Sequence, residues 1–339
     1  MRYFSGVLAL LVIIGLALTG CDIADGSRFS SDQYVIKEDV IKPTPTAITS
    51  GVLPDPTTAP IPQETDEVLV IRQAISCEQS FCQIEWPGWL VRPFICPARD
   101  RIDLTYPYGS TRNGTLAIHH GVEFPNPYGT PVHAAAGGKV VYAGNDDKEI
   151  FGPYQNFYGK VVILQHDDII NGKGLYSLYG HLSEIDVNEG EMILAGDVLG
   201  QVGTSGVADG SHLHFEVRYE INDYRNTTNP VLWFTPLANL TFGQSSTLAG
   251  FISDPYGNPI PDASITLEKL SGDGEVEKHY YFKSYAENGI NSHPALNENF
   301  TMPDLPPGDY RLTFISGTLY EIFFSLEQGM LGFINLQIN

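Results

Sequence analysis

The sequence predicts an all-β protein, and three observations carry that expectation. Short β-branched and aromatic runs recur along most of the chain, each closed by Gly, Pro, Asn or Asp. No long segment with a 3.6-residue apolar period lies between them. Gly 34 and Pro 23 in 339 residues make the chain turn-rich while leaving it well short of low complexity. At roughly 100–200 residues per domain, this length suggests about two globular units plus tails.

The amino end sets the expected compartment. Arg2 precedes an apolar run from Gly6 to Leu18, long enough for an export signal but short of the ~20 residues a spanning helix needs. The run closes on Leu18-Thr19-Gly20-Cys21, which resembles the bacterial lipobox; that resemblance implies cleavage before Cys21 and its lipidation. Two or three acyl chains exceed the threshold for stable anchoring, so residues 1–21 are expected to be a lipoprotein leader and the mature protein to face outward from a membrane.

Residues 22–65 are polar and rich in Pro, Thr and Ser, as in Pro54-Asp55-Pro56-Thr57-Thr58-Ala59-Pro60, with nothing able to form a core. They are expected to be a flexible linker with an r.m.s. span of roughly 35 Å. Cys77, Cys82 and Cys96 follow. Outside the cytoplasm a structural disulfide is expected among them, but an odd number leaves one thiol over and the spacing does not choose the pair.

Strand runs then follow closely through residues 66–243: Lys139–Ala143, Lys160–Leu164, Leu175–Tyr179, Val198–Val202 and Leu213–Val217. These predict a mainly antiparallel β domain. A boundary is expected at Gly243-Gln244-Ser245-Ser246, after which strands resume at Leu248–Ile252, Ser264–Leu267, Tyr310–Phe314 and Phe333–Leu336. Residues 244–339 suit a small sandwich. The pattern from Gly250-x-Ile252-x-Asp254 to Leu305-Pro306-Pro307-Gly308-x-Tyr310 resembles the carboxypeptidase-regulatory-like, prealbumin-like module. It implies a fold rather than an activity, and a spacer or docking module is the expected role.

Charge excludes one class of partner. Lys+Arg 19 against Asp+Glu 40 leaves −21 at pH 7, so there is no basic footprint for nucleic acid.

Chemistry is concentrated in three histidine clusters: His119-His120-Gly121-Val122-Glu123, Tyr179-Gly180-His181-Leu182 and Ser211-His212-Leu213-His214-Phe215. On a strand, His212 and His214 project from one face while Leu213 and Phe215 enter the core. Histidine nitrogens and a carboxylate are competent zinc ligands, and a catalytic zinc takes three of them and keeps a fourth position open. His119 and Glu123 would stand ~13 Å apart on a straight strand, so the chain must bend between them, and Gly121 is placed to permit it. His120, His133, His166, His279 and His293 lack ligand spacing and read as structural.

The stretch from about Arg92 to Tyr219 resembles the lysostaphin-type peptidoglycan metalloendopeptidases. The family pattern His-x3-Asp, Gly-Thr-Pro-Val, Tyr-x-His-Leu and His-Leu-His-Phe-Glu is met by His119-x3-Glu123, Gly129–Val132, Tyr179–Leu182 and His212–Glu216. The resemblance implies the lysostaphin-type antiparallel β fold, one Zn2+ per chain on His119, Glu123 and His214, and His181 and His212 as catalytic histidines beside the metal. One position departs from it: Glu123 stands where the family has Asp, one methylene (~1.5 Å) longer. The implied function is hydrolysis of peptide bonds in peptidoglycan cross-bridges or stem peptides. A peptidoglycan-binding or hydrolase-activating module of weakened activity is the alternative, against which stand the four retained histidines.

Overall fold

The computed structural model describes residues 80–338, apart from 87, 167–171, 240–242 and 288. The leader, Cys21, the 22–65 linker and Cys77 lie outside the described residues. Cys82 is disulfide-bonded, while Cys96 is free and exposed. No helix among the described residues is long and apolar enough to cross a membrane; helical structure there consists of two three-residue 3-10 turns, Tyr224–Asn226 and Pro230–Leu232.

Strand β1 (Phe81–Glu85) precedes the first unit, which contains β2 (Val122–Pro125), β3 (Pro131–His133), β4 (Gly138–Asn145), β5 (Lys160–His166), β6 (Gly174–Ile185), β7 (Met192–Ile193), β8 (Val198–Val202), β9 (His212–Glu220) and β10 (Thr227–Thr228). These nine form one sheet in the order β10-β9-β6-β5-β4-β7, with β2 on β9 and the β3–β8 pair joined to β6. All its pairings are antiparallel, as the closely spaced strand runs predict.

A short ribbon, β11 (Ala238–Asn239) and β12 (Gly243–Gln244), leads to the second unit. That unit holds β13 (Ser246–Ser253), β14 (Ser264–Leu270), β15 (Val276–Lys283), β16 (Phe300–Leu305), β17 (Gly308–Ser316), β18 (Thr318–Leu326) and β19 (Met330–Gln337). Its two sheets run β1-β19-β13-β16 and β15-β14-β17-β18 and enclose a core that includes Leu248, Leu267, Phe300, Leu312 and Ile334.

The linear division at 243/244 is therefore crossed by β1, which pairs with β19 in register from Phe81↔Ile334 to Glu85↔Met330. Phe81 packs on Phe324 at 4.5 Å between ring centroids, and Cys82 and Ile84 pack on a cluster drawn mostly from the second unit, so burial of this strand is gained mainly there.

Strand β9 positions the site. Leu213, Phe215 and Val217 are fully buried in the main core, while His212, His214, Glu216 and Arg218 share the opposite face. From His214 to Arg218 that polar face is buried as well, so its groups must be satisfied by one another or by covering loops.

Candidate metal centre

Register brings the first two groups together. In the β2–β9 pairing Glu123 lies directly opposite His214, the cross-strand relation in which side chains on one face meet. His119 lies in the loop before β2, and the chain turns at Gly121, as the spacing argument requires. The reason for glycine is space. A Cβ at Gly121 would stand 2.6 Å from the Phe215 carbonyl oxygen and 2.7 Å from the His214 ring, so only a residue without one lets β2 close on β9 here.

Three ligand atoms converge. Glu123 Oε1 lies 3.0 Å from His119 Nε2 and 3.0 Å from His214 Nδ1, and those two nitrogens are 3.3 Å apart. These separations are close to the ~3.3 Å edge of a tetrahedron built on 2.0–2.1 Å bonds.

Outer hydrogen bonds fix where the protons lie. Carbonyl oxygens only accept, so His119 Nδ1–H donates to the Tyr106 carbonyl at 2.7 Å, turning its Nε2 lone pair inward. His214 Nε2–H donates to Glu216 Oε1 at 3.1 Å, turning Nδ1 inward. In the neutral tautomers, three acceptors with no proton among them face one point. That arrangement calls for a cation, and the chemistry of the donor set suits zinc.

Glu123 adds a second sign. Its Oε2 is buried without a hydrogen-bonding partner, although His212 Nε2 is only 3.0 Å away. Burial alone would raise the pKa of this carboxyl; the His214 charge and the close approach of His119, His212 and His214 outweigh burial and hold it well below the usual range. Burial likewise opposes charge on His214, but the carboxylates of Glu123 and Glu216 raise it to about 10. The side chains of Glu123 and His212 keep 14% and 15% exposure against 5% for His119 and His214, so the centre opens on the Glu123 and His212 side.

His181 and His212 flank the three, their rings 5.0 Å apart. His181 has φ +61°, a left-handed conformation uncommon for a non-glycine residue, at the point where β6 leaves β9 and pairs with β8. Its Nδ1–H donates to the Ser205 carbonyl at 2.8 Å, leaving Nε2 as an acceptor. Burial and the nearby His214 charge lower its pKa to about 4, so the ring is neutral near pH 7. His212 Nδ1–H donates to the Gly210 carbonyl at 3.1 Å.

The groups behind these were not singled out from the sequence. Glu216 is held by Arg218, whose Nε and Nη2 donate to its Oε2 at 2.9 and 2.8 Å, and by the Tyr158 hydroxyl, which donates to Oε1. Burial would raise the Glu216 pKa, but Arg218 and His214 overcome it and bring it to about 2. Tyr106 stacks on His119 at 4.1 Å and 6°. The alternation His212, His214, Glu216, Arg218 was the available signal for the first two, since residues two apart share a face; the Tyr106 contact crosses a loop and leaves no period. The remaining histidines stay outside the cluster: His120 Nδ1 meets Thr227 Oγ1 at 2.7 Å, and His293 packs 4.5 Å from Trp233.

Residues 117–230, which hold the histidine clusters, match peptidase family M23. The DD-carboxypeptidase/endopeptidase Mpg of Neisseria meningitidis serogroup B is 33% identical over 135 residues, 40% of this chain and 27% of Mpg. The uncharacterized lipoprotein YgeR of Escherichia coli is 24% identical over 240 residues, 62% of this chain and 87% of YgeR. A crystal structure of a putative peptidase M23 from Pseudomonas aeruginosa is 29% identical, covering 44% of this chain and 52% of that one at a TM-score of 0.32. The chain spans 27% of the length of the curated relatives it matches first.

Proposed function

We propose that the protein is a zinc-dependent endopeptidase that hydrolyses peptide bonds of peptidoglycan while anchored to a membrane through Cys21. The observation that carries the reading is the convergence of His119 Nε2, Glu123 Oε1 and His214 Nδ1, three lone pairs whose tautomers are fixed by bonds to Tyr106 and Glu216.

When bound there, a zinc ion supplies Lewis acidity toward the scissile carbonyl and toward a water molecule. The chain's own residues do the rest. His181 is neutral and presents Nε2, so it accepts the proton that the attacking water releases and returns it to the leaving amine. His212 stands 5.0 Å from His181 across the opening with its Nδ1–H committed to the Gly210 carbonyl, so it donates through Nε2 to the carbonyl oxygen, as negative charge develops there, only as the imidazolium. Glu216 and Arg218 keep the His214 ring from turning.

The test is mass spectrometry of muropeptides released from purified cell walls. The wild type should release products with newly freed peptide termini, and both His181→Ala and chelator-treated wild type should release few. Full zinc occupancy with no released product would instead assign the peptidoglycan-binding or hydrolase-activating role. For the anchor, radiolabelled fatty acid should enter the wild type and not Cys21→Ala; the lipoprotein name of YgeR supports that part of the reading.

A further inference from the structure

The second unit reaches across to the segment that presents His119. Residues 112–115 form a turn and no strand is assigned from 111 to 120, so no strand pairing holds the backbone that leads into His119. What holds it is residues 108–110. Gly109 N–H donates to the His119 carbonyl at 2.8 Å, and His119 N–H donates to the Ser110 carbonyl at 2.9 Å. The His119 ring depends on the same stretch, through the stacked ring and the carbonyl of Tyr106.

Residues 108 and 109 are in turn fixed by the loop between β15 and β16. Ala286 N–H donates to the Gly109 carbonyl at 2.8 Å. The Tyr108 hydroxyl lies 2.9 Å from both the Thr227 and Asn291 carbonyls, and Asn291 Nδ2 donates to the Arg225 and Thr227 carbonyls at 2.6 and 2.9 Å. Gly109, at φ +76°, has the Tyr285 ring where a side chain would start: a Cβ there would lie 2.5 Å from Tyr285 Cδ1. The glycine thus serves close approach of the second unit as well as a left-handed turn.

We infer that the 284–299 loop of the C-terminal sandwich is the backing against which His119 is presented to the metal centre, which makes Tyr108 and Asn291 positioning residues of that centre. The sandwich is then a working part of the site and more than a spacer. The inference rests on the reading of His119 as a ligand. Two hydrogen bonds in series separate it from the loop, Ala286 N–H to the Gly109 carbonyl and Gly109 N–H to the His119 carbonyl.

The test uses the full chain in detergent, freed of metal, in two forms of readout: hydrogen exchange at the Gly109 and His119 amides, and Co2+ titration followed by its visible absorption. Tyr108→Phe combined with Asn291→Ala removes the side-chain links without emptying the core, since Asn291 is exposed and the phenylalanine keeps the ring volume. Exchange at both amides should rise ~10-fold or more, and Co2+ should bind ~10-fold or more weakly, the scale of losing an outer partner of a ligand. Asp304→Asn cuts a different tie between the units, the 2.7 Å Arg92–Asp304 pair, and should leave both readouts within about twofold. The inference is overturned if the double variant leaves both readouts within twofold, or if Asp304→Asn moves them equally. Failure of the wild type to bind Co2+ would overturn the metal reading by itself, whereas the exchange rates test the backing either way.

Discussion

His212 Nε2 stands 3.0 Å from Glu123 Oε2, the oxygen of that carboxylate left without a hydrogen bond when Oε1 turns to His119 and His214. One carboxylate thereby touches three histidines, two on its ligand side and one on the side that opens to solvent.

Replacing Glu123 therefore tests the centre directly. Glu123→Gln retains shape but loses the charge, and should weaken Co2+ or zinc binding by at least ~10–100-fold in competition with a chelator. Glu123→Asp draws the carboxylate back by ~1.5 Å and should bind metal between the two. A Gln variant that binds as tightly as wild type would remove Glu123 from the ligand set.

The histidines should divide by position. His119→Ala and His214→Ala should lose the metal, whereas His181→Ala and His212→Ala should hold near one equivalent while muropeptide release falls ~100-fold or more. Elemental analysis on the four purified variants decides it; an empty His181→Ala site beside a filled His119→Ala site would reverse the assignment.

Glu216 and Arg218 form a buried pair and should respond as one. Glu216→Gln strands the Arg218 guanidinium in the interior and should cost ~3–5 kcal/mol in thermal or denaturant unfolding. Adding Arg218→Met should restore most of that stability, yet leave metal binding ~10–100-fold weaker because nothing orients His214. Recovery of both in the double variant would show that the pair supports the fold alone.

The His293–Glu298 turn should shape the dependence of stability on pH. Burial pushes the Glu298 carboxyl up to about 8 from an ordinary 4.5, so between those values the folded chain keeps a proton that the unfolded chain has lost, and stability falls as pH rises. Burial lowers His293 to about 3 from 6.5; between those values the unfolded chain gains a proton the folded one refuses, and stability falls as pH drops. The two slopes oppose each other from about 4.5 to 6.5, which should appear as a plateau. Glu298→Gln should abolish the decline between pH 6.5 and 8, with the Tm difference from wild type widening by a few °C over that range. Parallel curves for the two proteins would count against a buried neutral Glu298.

Much of this was legible in residue order because much of it is local. The period of two in His212-Leu213-His214-Phe215 announces a strand with a chemical face, and His119-x3-Glu123 demands a bend that the chain makes at Gly121. What the order of residues hides is pairing at long range. Phe81-Cys82-Gln83-Ile84-Glu85 carries no sign that it will lie against the last strand, since its partner is chosen by packing on Phe324 and β19 and not by its neighbours. Tyr106 and Asn291 are invisible for the same reason: each matters through a contact that only the closed fold creates.

The pairing of β1 with β19 has a consequence for how the chain assembles. The histidine-bearing unit is enclosed between Glu85 and Ser246, so the sandwich is threaded from both sides of an inserted unit. If that unit were still unfolded, bringing β1 to the rest of its sheet would mean closing a loop of roughly 160 residues, an entropic penalty of about 4–5 kcal/mol before any contact is made. Once the inserted unit has folded, its two ends lie side by side, Trp86 bonding to the Leu232 carbonyl and Leu90 bridging to Phe234, and most of that penalty is gone. Assembly should then run inside out, with the enclosed domain forming first and the sandwich zipping shut around its ends.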